Sequence, residues 1–370
     1  MRTLPNPLLN EHCRIDETSL TDKFIALSRY AGSRFDLLQA GGGNTSVKLD
    51  DRRMLVKASG VALSEMGAEK VYVAVDYPEM VGLLETPAKW DDGDKRHRDL
   101  KVNHLVSLAT KTSGARASIE VFLHAILGRF VLHTHPIAVN IIVSQRGWDN
   151  NLAAIFADAL CIPYRTPGIE LGLELNVRVK RFISSHGHPP KIIFLQNHGL
   201  IVSADSMEAV QQITEDVVGK CGEWCGVDFG RYQRATAIAA FVGDGSVAYL
   251  CEDCAIMDLL KTQPHLFSRK PYCPDSFVFC GAMPLVVENL RDAEPLEAYR
   301  KHYHDAPKVI LHGGKIYFLA KNIKKARESE EVYKAHLLAI ASMKGQINYL
   351  NDDELAYLGG WEAEKYRRET

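Results

Sequence analysis

The sequence predicts a mixed α/β fold in two parts, and three observations carry that reading. Stretches with the 3.6-residue period of amphipathic helices lie near both ends of the chain, at 18–39 and 324–346. Between them run short apolar segments bounded by Gly, Asn and Asp turns, the pattern of β-strands. The chain has 370 residues, which at roughly 150 residues per domain suggests two domains or one large domain with an appendage.

The elements follow in order. Thr18 or Ser19 is a natural N-cap for the first helix, and Gly41, Gly42 and Gly43 break it. Thr45–Leu49 and Met54–Ala58 read as two strands around a turn at Asp50–Arg53. Residues 76–117 read as helix or loop, with a charged patch at Lys89–Arg98. Val131–His135 is a short apolar strand ending in histidines. Ile192–Leu195 and Leu200–Ser203 read as strands flanking Gln196–Gly199, and a helix follows from Ser206 to Trp224. Residues 270–320 look like a small mixed region ahead of the helix Lys324–Gln346.

One internal echo stands out. PKIIFLQNHGLIVSADSMEAV at 190–210 resembles PKVILHGGKIYFLAKNIKKA at 307–326. Both read as strand, turn, strand, helix. The second has no histidine aligned with His198, although His312 is close. A decayed duplication and shared β-propensity account for this equally well. No Pro/Ser linker or low-complexity tract separates the two parts.

Composition excludes several classes. The chain is 46% hydrophobic and 24% charged, ordinary for a soluble globular protein. A net charge of -2 lacks the basic excess of a general nucleic-acid binder. No apolar run reaches the ~18 to 20 residues that span a bilayer. The opening stretch MRTLPNPLLNEHCRIDETSL does not read as a signal peptide. Eight cysteines are too few for a disulfide scaffold, so reduced thiols in the cytoplasm are expected. Cys221 with Cys225 and Cys251 with Cys254 have the spacing of paired zinc thiolates, but they read better as buried free thiols.

The densest chemistry lies in Glu120, His124, His133, His135 and His198. His133 and His135 are two apart on a strand, so their side chains share one face. Imidazoles that close would repel each other if charged, and a metal ion removes that conflict. His198, in the turn Gln196–Gly199, is the best third ligand. His186 and His188 repeat the spacing in a polar SSHGHPP loop and read as solvated surface. Ala40–Ser46 forms a glycine turn whose free N–H groups, with Asn44, Thr45 and Ser46, suit an anion. Lys57–Gly60 repeats that chemistry and adds a cation. Neither is a dinucleotide or P-loop fingerprint.

Taken together and in order, GGGNTSVK, VKASG, ASIEVFLHAIL, RFVLHTHPIAVN, TPGIELG and IIFLQNHGLIV resemble the class II aldolase/adducin family over residues 18–230. The wording also resembles the aldolase part of bifunctional rhamnulose-phosphate aldolase/dehydrogenase proteins. That likeness continues weakly through PDSFVFCGAMPLVV, KNIKKARESEEVYKAH and WEAEKYRRE, with nothing matching the dehydrogenase half. The resemblance implies a three-layer α/β/α domain with a mainly antiparallel central sheet over residues 1–235. Residues 236–370 would form a smaller C-terminal α/β region. It also implies a homo-oligomer, such as the family's cyclic tetramers, acting on a small sugar or sugar phosphate; composition adds the cytoplasmic setting with no nucleic-acid or membrane partner.

Carried over residue by residue, the resemblance implies Zn2+, or Mn2+ or Co2+, on His133, His135 and His198. Glu120 matches the proton-transferring glutamate, which can touch the metal in the empty site. Gly43, Asn44, Ser59, Gly60 and Ser118 match a phosphate clamp, and Lys57 and Arg116 could add charge to it. Two departures stand out. Ile119 replaces the second serine of the clamp, and the stretch from Glu120 to His133 is shorter than in simple sugar-phosphate aldolases. His124, four residues after Glu120 and on the same helix face, could orient that glutamate or contact substrate, but reads better as a hydrogen-bonded histidine lining the pocket. Tyr164 is expected to border the site, and Tyr349 or Tyr357 could act as an acid toward the aldehyde.

Three functions compete. The first is a metal-dependent aldolase that cleaves a ketose 1-phosphate, or a similar sugar derivative, through an enediolate. The second is an epimerase or sugar-acid phosphate decarboxylase on the same site. The third is a non-catalytic adducin-like binding module. The family's epimerases tend to carry aspartate at the position of Glu120, which favours the first reading. Its adducins lack the full metal triad.

Overall fold

The structure, a computed structural model, describes residues 17–67, 72–87, 91, 93–112 and 114–360. The opening stretch 1–16, residues 89, 90 and 92 of the charged patch, and the final WEAEKYRRE lie outside the described residues. The chain divides into two compact units. One holds the residues up to Gly32 with Leu37–Val227; the other holds Ser33–Asp36 with everything from Asp228 onward.

In the first unit α1 (Glu17–Gly32) leads to the hairpin β1 (Asn44–Lys48) and β2 (Arg53–Lys57) and then to β3 (Tyr72–Asp76). Helices α2 (Tyr77–Glu85), α3 (Lys95–Ala109) and α4 (Val121–Ala125) precede β4 (Phe130–Thr134). Then come α5 (Ile137–Val143), α6 (Trp148–Ile155), β5 (Ala159–Ile162), α7 (Ile169–His186), the hairpin β6 (Ile192–Leu195) and β7 (Gly199–Ala204), and α8 (Met207–Cys225). The seven strands form one sheet in the order β3-β2-β1-β4-β7-β6-β5. Every pair is antiparallel except β5 with β6.

Strand alternation divides the helices between two faces. Val131, Ile193 and Ile201 pack with Leu171, Leu175 and Val179 of α7. Met54, Val56, Val73 and Val75 pack with residues of α2, α3 and α4. The alternate residues of β4, Phe130 and Leu132, point to the other side, where α1 and α8 cross β4. The result is the expected three-layer α/β/α arrangement around a mainly antiparallel sheet.

The first helix differs from expectation. It stops at Gly32, not near residue 39. Arg34 and Asp36 form a fully buried ion pair at 2.6 Å, and Arg34 also donates to Thr236 Oγ1. A two-residue salt bridge needs a turn, which overrides the apolar period. Leu37 and Leu38 are still buried, but from extended chain, with the Leu37 carbonyl accepting from the His135 N–H. Strand β3 lies just ahead of the stretch 76–117 and is an element the sequence reading did not name.

The second unit holds α9 (Gly230–Val242), β8 (Val247–Leu250), α10 (Cys254–Thr262), α11 (Pro274–Cys280), β9 (Leu285–Val286), α12 (Glu294–Tyr303), the hairpin β10 (Val309–His312) and β11 (Lys315–Ala320), α13 (Ile323–Ser342) and α14 (Asp352–Gly360). Its four strands order as β8-β11-β10-β9. The seven described cysteines are all free thiols.

The second unit contains a pH-sensitive residue. His336 is buried on α13, with ring centroids of Tyr272 and Tyr333 at 5.2 and 6.0 Å and Ser276 Oγ 3.2 Å from Nδ1. Burial pushes its imidazole down to about 4. The unfolded chain therefore binds this proton first as pH falls through 6.5, and folding stability declines until about pH 4. Linkage puts the full loss at about 3 kcal/mol. Denaturant titrations at pH 7 and 4.5 should show His336→Phe losing less than wild type. Equal losses would rule His336 out as the cause.

Candidate active site

The HxH pair, the turn histidine and the glutamate come together in the first unit. His133 lies within β4, paired with Ile201 of β7 on one side and Asn44 of β1 on the other. His135 follows the strand end, on the same face by the period of two. His198 sits in the turn that closes β6 onto β7. Asn197 before it takes the left-handed conformation (φ 54°), which asparagine tolerates well. Gly199 after it leaves room for the neighbouring chain: a Cβ there would lie 2.3 Å from the Thr134 carbonyl oxygen. The turn and the end of β4 are thus pressed together, and this brings the histidines face to face.

The Nε2 atom of His133 is 3.2 Å from that of His135 and 3.3 Å from that of His198. All three ligand atoms lie within 4.8 Å of one another, a grouping otherwise absent among the described histidines, cysteines and acids. The Nδ1 of His133 is 3.0 Å from the Leu200 carbonyl oxygen. A carbonyl only accepts, so Nδ1 carries the proton and Nε2 presents its lone pair inward. Burial lowers the basicity of His133 and takes His135 down to about 3. His135 and His198 bring their Nε2 atoms to the same point as the His133 lone pair, where one cation would be within reach of all three. The donor set therefore fits a divalent metal ion.

Glu120 caps α4 and faces the triad, with Oε1 3.2 Å from His198 Nε2 and Oε2 3.6 Å from His133 Nε2. Burial works to raise its carboxyl, but the facing imidazoles of His133, His198 and His124 outweigh this and hold it low. His124 is fully buried. Its Nδ1 is 2.9 Å from Ser46 Oγ, and its Nε2 has no partner among the described residues. Ser46 is a partner the sequence did not suggest.

Around this centre lie the residues of the expected clamp. Gly43 takes φ +70° below the His133 carbonyl oxygen, which a Cβ would approach to 2.7 Å. Asn44 is 1% exposed, yet neither its Oδ1 nor its Nδ2 has a partner among the described residues. A buried amide left unpaired costs free energy unless something else pairs with it. Thr134 Oγ1 is buried and unpaired in the same way.

Lys57 ends β2, and its Nζ donates to the Val61 carbonyl at 2.7 Å and the Gly41 carbonyl at 3.4 Å. It ties the Gly41–Asn44 and Ser59–Val61 turns to one ammonium. Burial lowers its basicity, partly offset by Glu120. Ser59 and Gly60 are exposed, and the Ser59 N–H donates to the Arg116 carbonyl. A bridge from Ala58 to Ala117 then sets Ser118 beside that turn. Ser118 Oγ is 3.3 Å from the Glu120 backbone nitrogen, whose N–H it accepts. Ile119, where a second hydroxyl was expected, is exposed.

Tyr164 is exposed, and its N–H donates to Gln196 Oε1, two residues before His198. Tyr349 and Tyr357 belong to the second unit. Cys221 and Cys225 lie on α8 and are not part of the ligand cluster.

A mainly antiparallel sheet that presents three converging imidazoles from a strand end and a hairpin turn, faced by a carboxylate from the start of a helix, is the arrangement of a class II aldolase-type domain. The chain belongs to the family described as "Class II Aldolase and Adducin N-terminal domain", which matches residues 22–221. No curated protein matches the chain. Among solved structures, it is similar to the N-terminal class II aldolase domain of a conserved protein from Thermoplasma acidophilum. The identity is 23%, covering 60% of this chain and 100% of that one, with TM-score 0.47. An aldolase II superfamily protein from Pseudomonas syringae matches at 17% identity, over 57% of this chain and 77% of that one, with TM-score 0.41. An L-fuculose-1-phosphate aldolase from Thermus thermophilus matches at 14%, over 62% and 99%, with TM-score 0.35. Among the described residues no helix is long and apolar enough to cross a membrane.

Proposed function

We propose that this chain is a metal-dependent aldolase that breaks or forms a carbon–carbon bond next to a carbonyl in a ketose 1-phosphate or a similar sugar derivative. The observation that carries the reading is the meeting of three inward-facing Nε2 atoms with the Glu120 carboxylate. His133, His135 and His198 would hold the ion, zinc or another divalent metal that imidazole accepts. Once bound, it would act as a Lewis acid toward the substrate's oxygens.

The chain's own residues do the rest. Glu120 is ionised at neutral pH and lies beside the triad. It is the group able to take a proton from, and return it to, the carbon next to the carbonyl. In the cleavage direction the hydroxyl on the departing carbon gives up its proton to solvent as the aldehyde forms, the electron pair of the broken bond passes toward the carbonyl, and the remaining carbon is protonated by Glu120 after that carboxylate has taken up a proton from solvent. Asn44, with a buried and unpaired amide, binds a substrate oxygen. Lys57 holds the two anion-binding turns in register and adds positive potential. With Ser59, Gly60 and Ser118 these turns suit a phosphate, and the Asn44 amide lies on the strand that faces His133.

The test is cleavage of ketose 1-phosphates by protein of known metal content. Interconversion of sugar phosphates without cleavage would favour an epimerase instead. Asn44→Ala should raise KM for a phosphorylated substrate by about 10- to 100-fold, the size of a lost hydrogen bond to a charged group, with a smaller change in kcat. A KM within about twofold of wild type would point to a neutral or carboxylate substrate.

A further inference from the structure

We infer that the second unit contains a second copy of the first unit's β4–α8 module, and that this copy has lost its metal site. The family match ends at residue 221, so nothing in it accounts for β8 to α13. The sequence echo between 190–210 and 307–326 extends far beyond two similar hairpins once the strands are paired.

The two hairpins share one ladder. Ile192, Ile193, Phe194 and Leu195 face Val202, Ile201, Leu200 and Gly199. Val309, Ile310, Leu311 and His312 face Phe318, Tyr317, Ile316 and Lys315 in the same register. On the outer side of β6 lies β5, parallel, with Leu160 beside Ile193; on the outer side of β10 lies β9, parallel, with Leu285 beside Ile310. On the far side of β7 lies β4, antiparallel, and on the far side of β11 lies β8, also antiparallel.

Chain order agrees as well. Two α-helices separate β4 from β5, and two, with a short 3-10 turn at Pro264–Ser268 between them, separate β8 from β9; one α-helix precedes each hairpin and one long helix follows it. Two residues separate that last helix from its strand in both cases. It is capped by Ser206 Oγ accepting from the Ala209 N–H, and by Asn322 Oδ1 accepting from the Lys325 N–H. Shared β-propensity can produce two hairpins. It does not dictate the partner strands, their directions, their register and the helix order together.

The ladder also locates the lost ligands. His133 faces Ile201, and Leu250 faces Tyr317, the residue aligned with Ile201. Leu250 therefore stands at the position of His133, and Glu252 at that of His135. The Glu252 carboxylate is held by the Tyr232 hydroxyl at 2.8 Å. The turn Gln196–His198 has three residues between its closing pair, whereas Gly313 and Gly314 fill the second turn alone. The missing residue is the counterpart of His198. Strands β1 to β3, which carry Asn44 and Lys57, have no counterpart in the described four-stranded sheet. The described residues thus hold one module with a metal-ligand cluster and one copy that has lost its ligands.

The identification of the lost ligands rests on His133, His135 and His198 binding metal; the copy itself does not. The test is to rebuild the site in a His133→Ala background. The variant carries Leu250→His, Glu252→His and Lys315→Gly, with a histidine inserted after Gly314. The expected result is about one cobalt(II) per chain with the visible absorption of a tetrahedral site, against none in His133→Ala alone. A variant that folds cooperatively and binds no cobalt overturns the copy.

Should the rebuilt chain not fold, wild-type metal content serves in its place. One ion per chain, lost in His198→Ala, is expected. A second ion that survives His198→Ala would overturn the loss of the second site. A wild-type chain without metal counts against the aldolase reading alone; the copy is then judged by Leu250→His with Glu252→His and no insertion, where a folded chain that takes up no cobalt overturns it.

Discussion

His133→Ala is expected to reduce bound metal from about one ion per chain to near zero, and turnover by at least about a thousandfold. The imidazole is fully buried, and the Leu200 carbonyl fixes its tautomer so that Nε2 faces the centre. Without it the site keeps two imidazoles and a carboxylate, one of them on a turn. A site stripped of its ion loses Lewis-acid stabilisation of the developing charge, worth several kcal/mol. Each 1.4 kcal/mol is about a tenfold change in rate, which sets the scale of the loss.

Removing a buried side chain also leaves a cavity, so His198→Ala is the companion variant. His198 is partly exposed and sits in a turn, and its loss opens no hole in the core. Both variants should lose metal to a similar degree, while thermal unfolding of the metal-free protein changes more for His133→Ala. Elemental analysis and a cleavage assay check this. Retention of one ion and full activity in either variant would remove that residue from the ligand set.

What the sequence made legible follows from where the information lies. The period of two placed His133 and His135 on one face, and an NHG turn between apolar strands marked His198. Residue type and spacing were sufficient there, because the β4–β7 pairing turns short-range pattern into long-range contact. The end of α1 was not legible, since Arg34 and Asp36 stop the helix with an ion pair and Arg34 adds a bond to Thr236, far along the chain. Ser46 could not be seen as the partner of His124 for the same reason: only β1 beside β4 brings it near. The unpaired amide of Asn44 is a property of burial, which a motif does not contain. Likewise the echo between the two hairpins is ambiguous without the flanking strands β5 and β9, which run parallel in matching register.

Glu120→Gln separates proton transfer from binding. The amide has nearly the same shape and can still hydrogen-bond, so the pocket should keep its form and its metal. What disappears is a carboxylate held well below the ordinary glutamate range by the imidazoles around it. An amide cannot accept a proton at neutral pH, and general-base catalysis of this kind contributes about 10²- to 10⁴-fold. The substitution should therefore lower kcat by about that factor and move KM by only a few fold.

The same loss should appear without the second substrate. Wild type should exchange the proton next to the carbonyl of dihydroxyacetone phosphate with solvent deuterium, and Glu120→Gln should not. Glu120→Asp keeps the charge but sets it back by one methylene, so it should restore part of the exchange. Exchange at the wild-type rate in Glu120→Gln would assign the proton to another group. A buried candidate outside the ligand set is then His124, whose Nε2 is unpaired among the described residues and whose Nδ1 is anchored on Ser46.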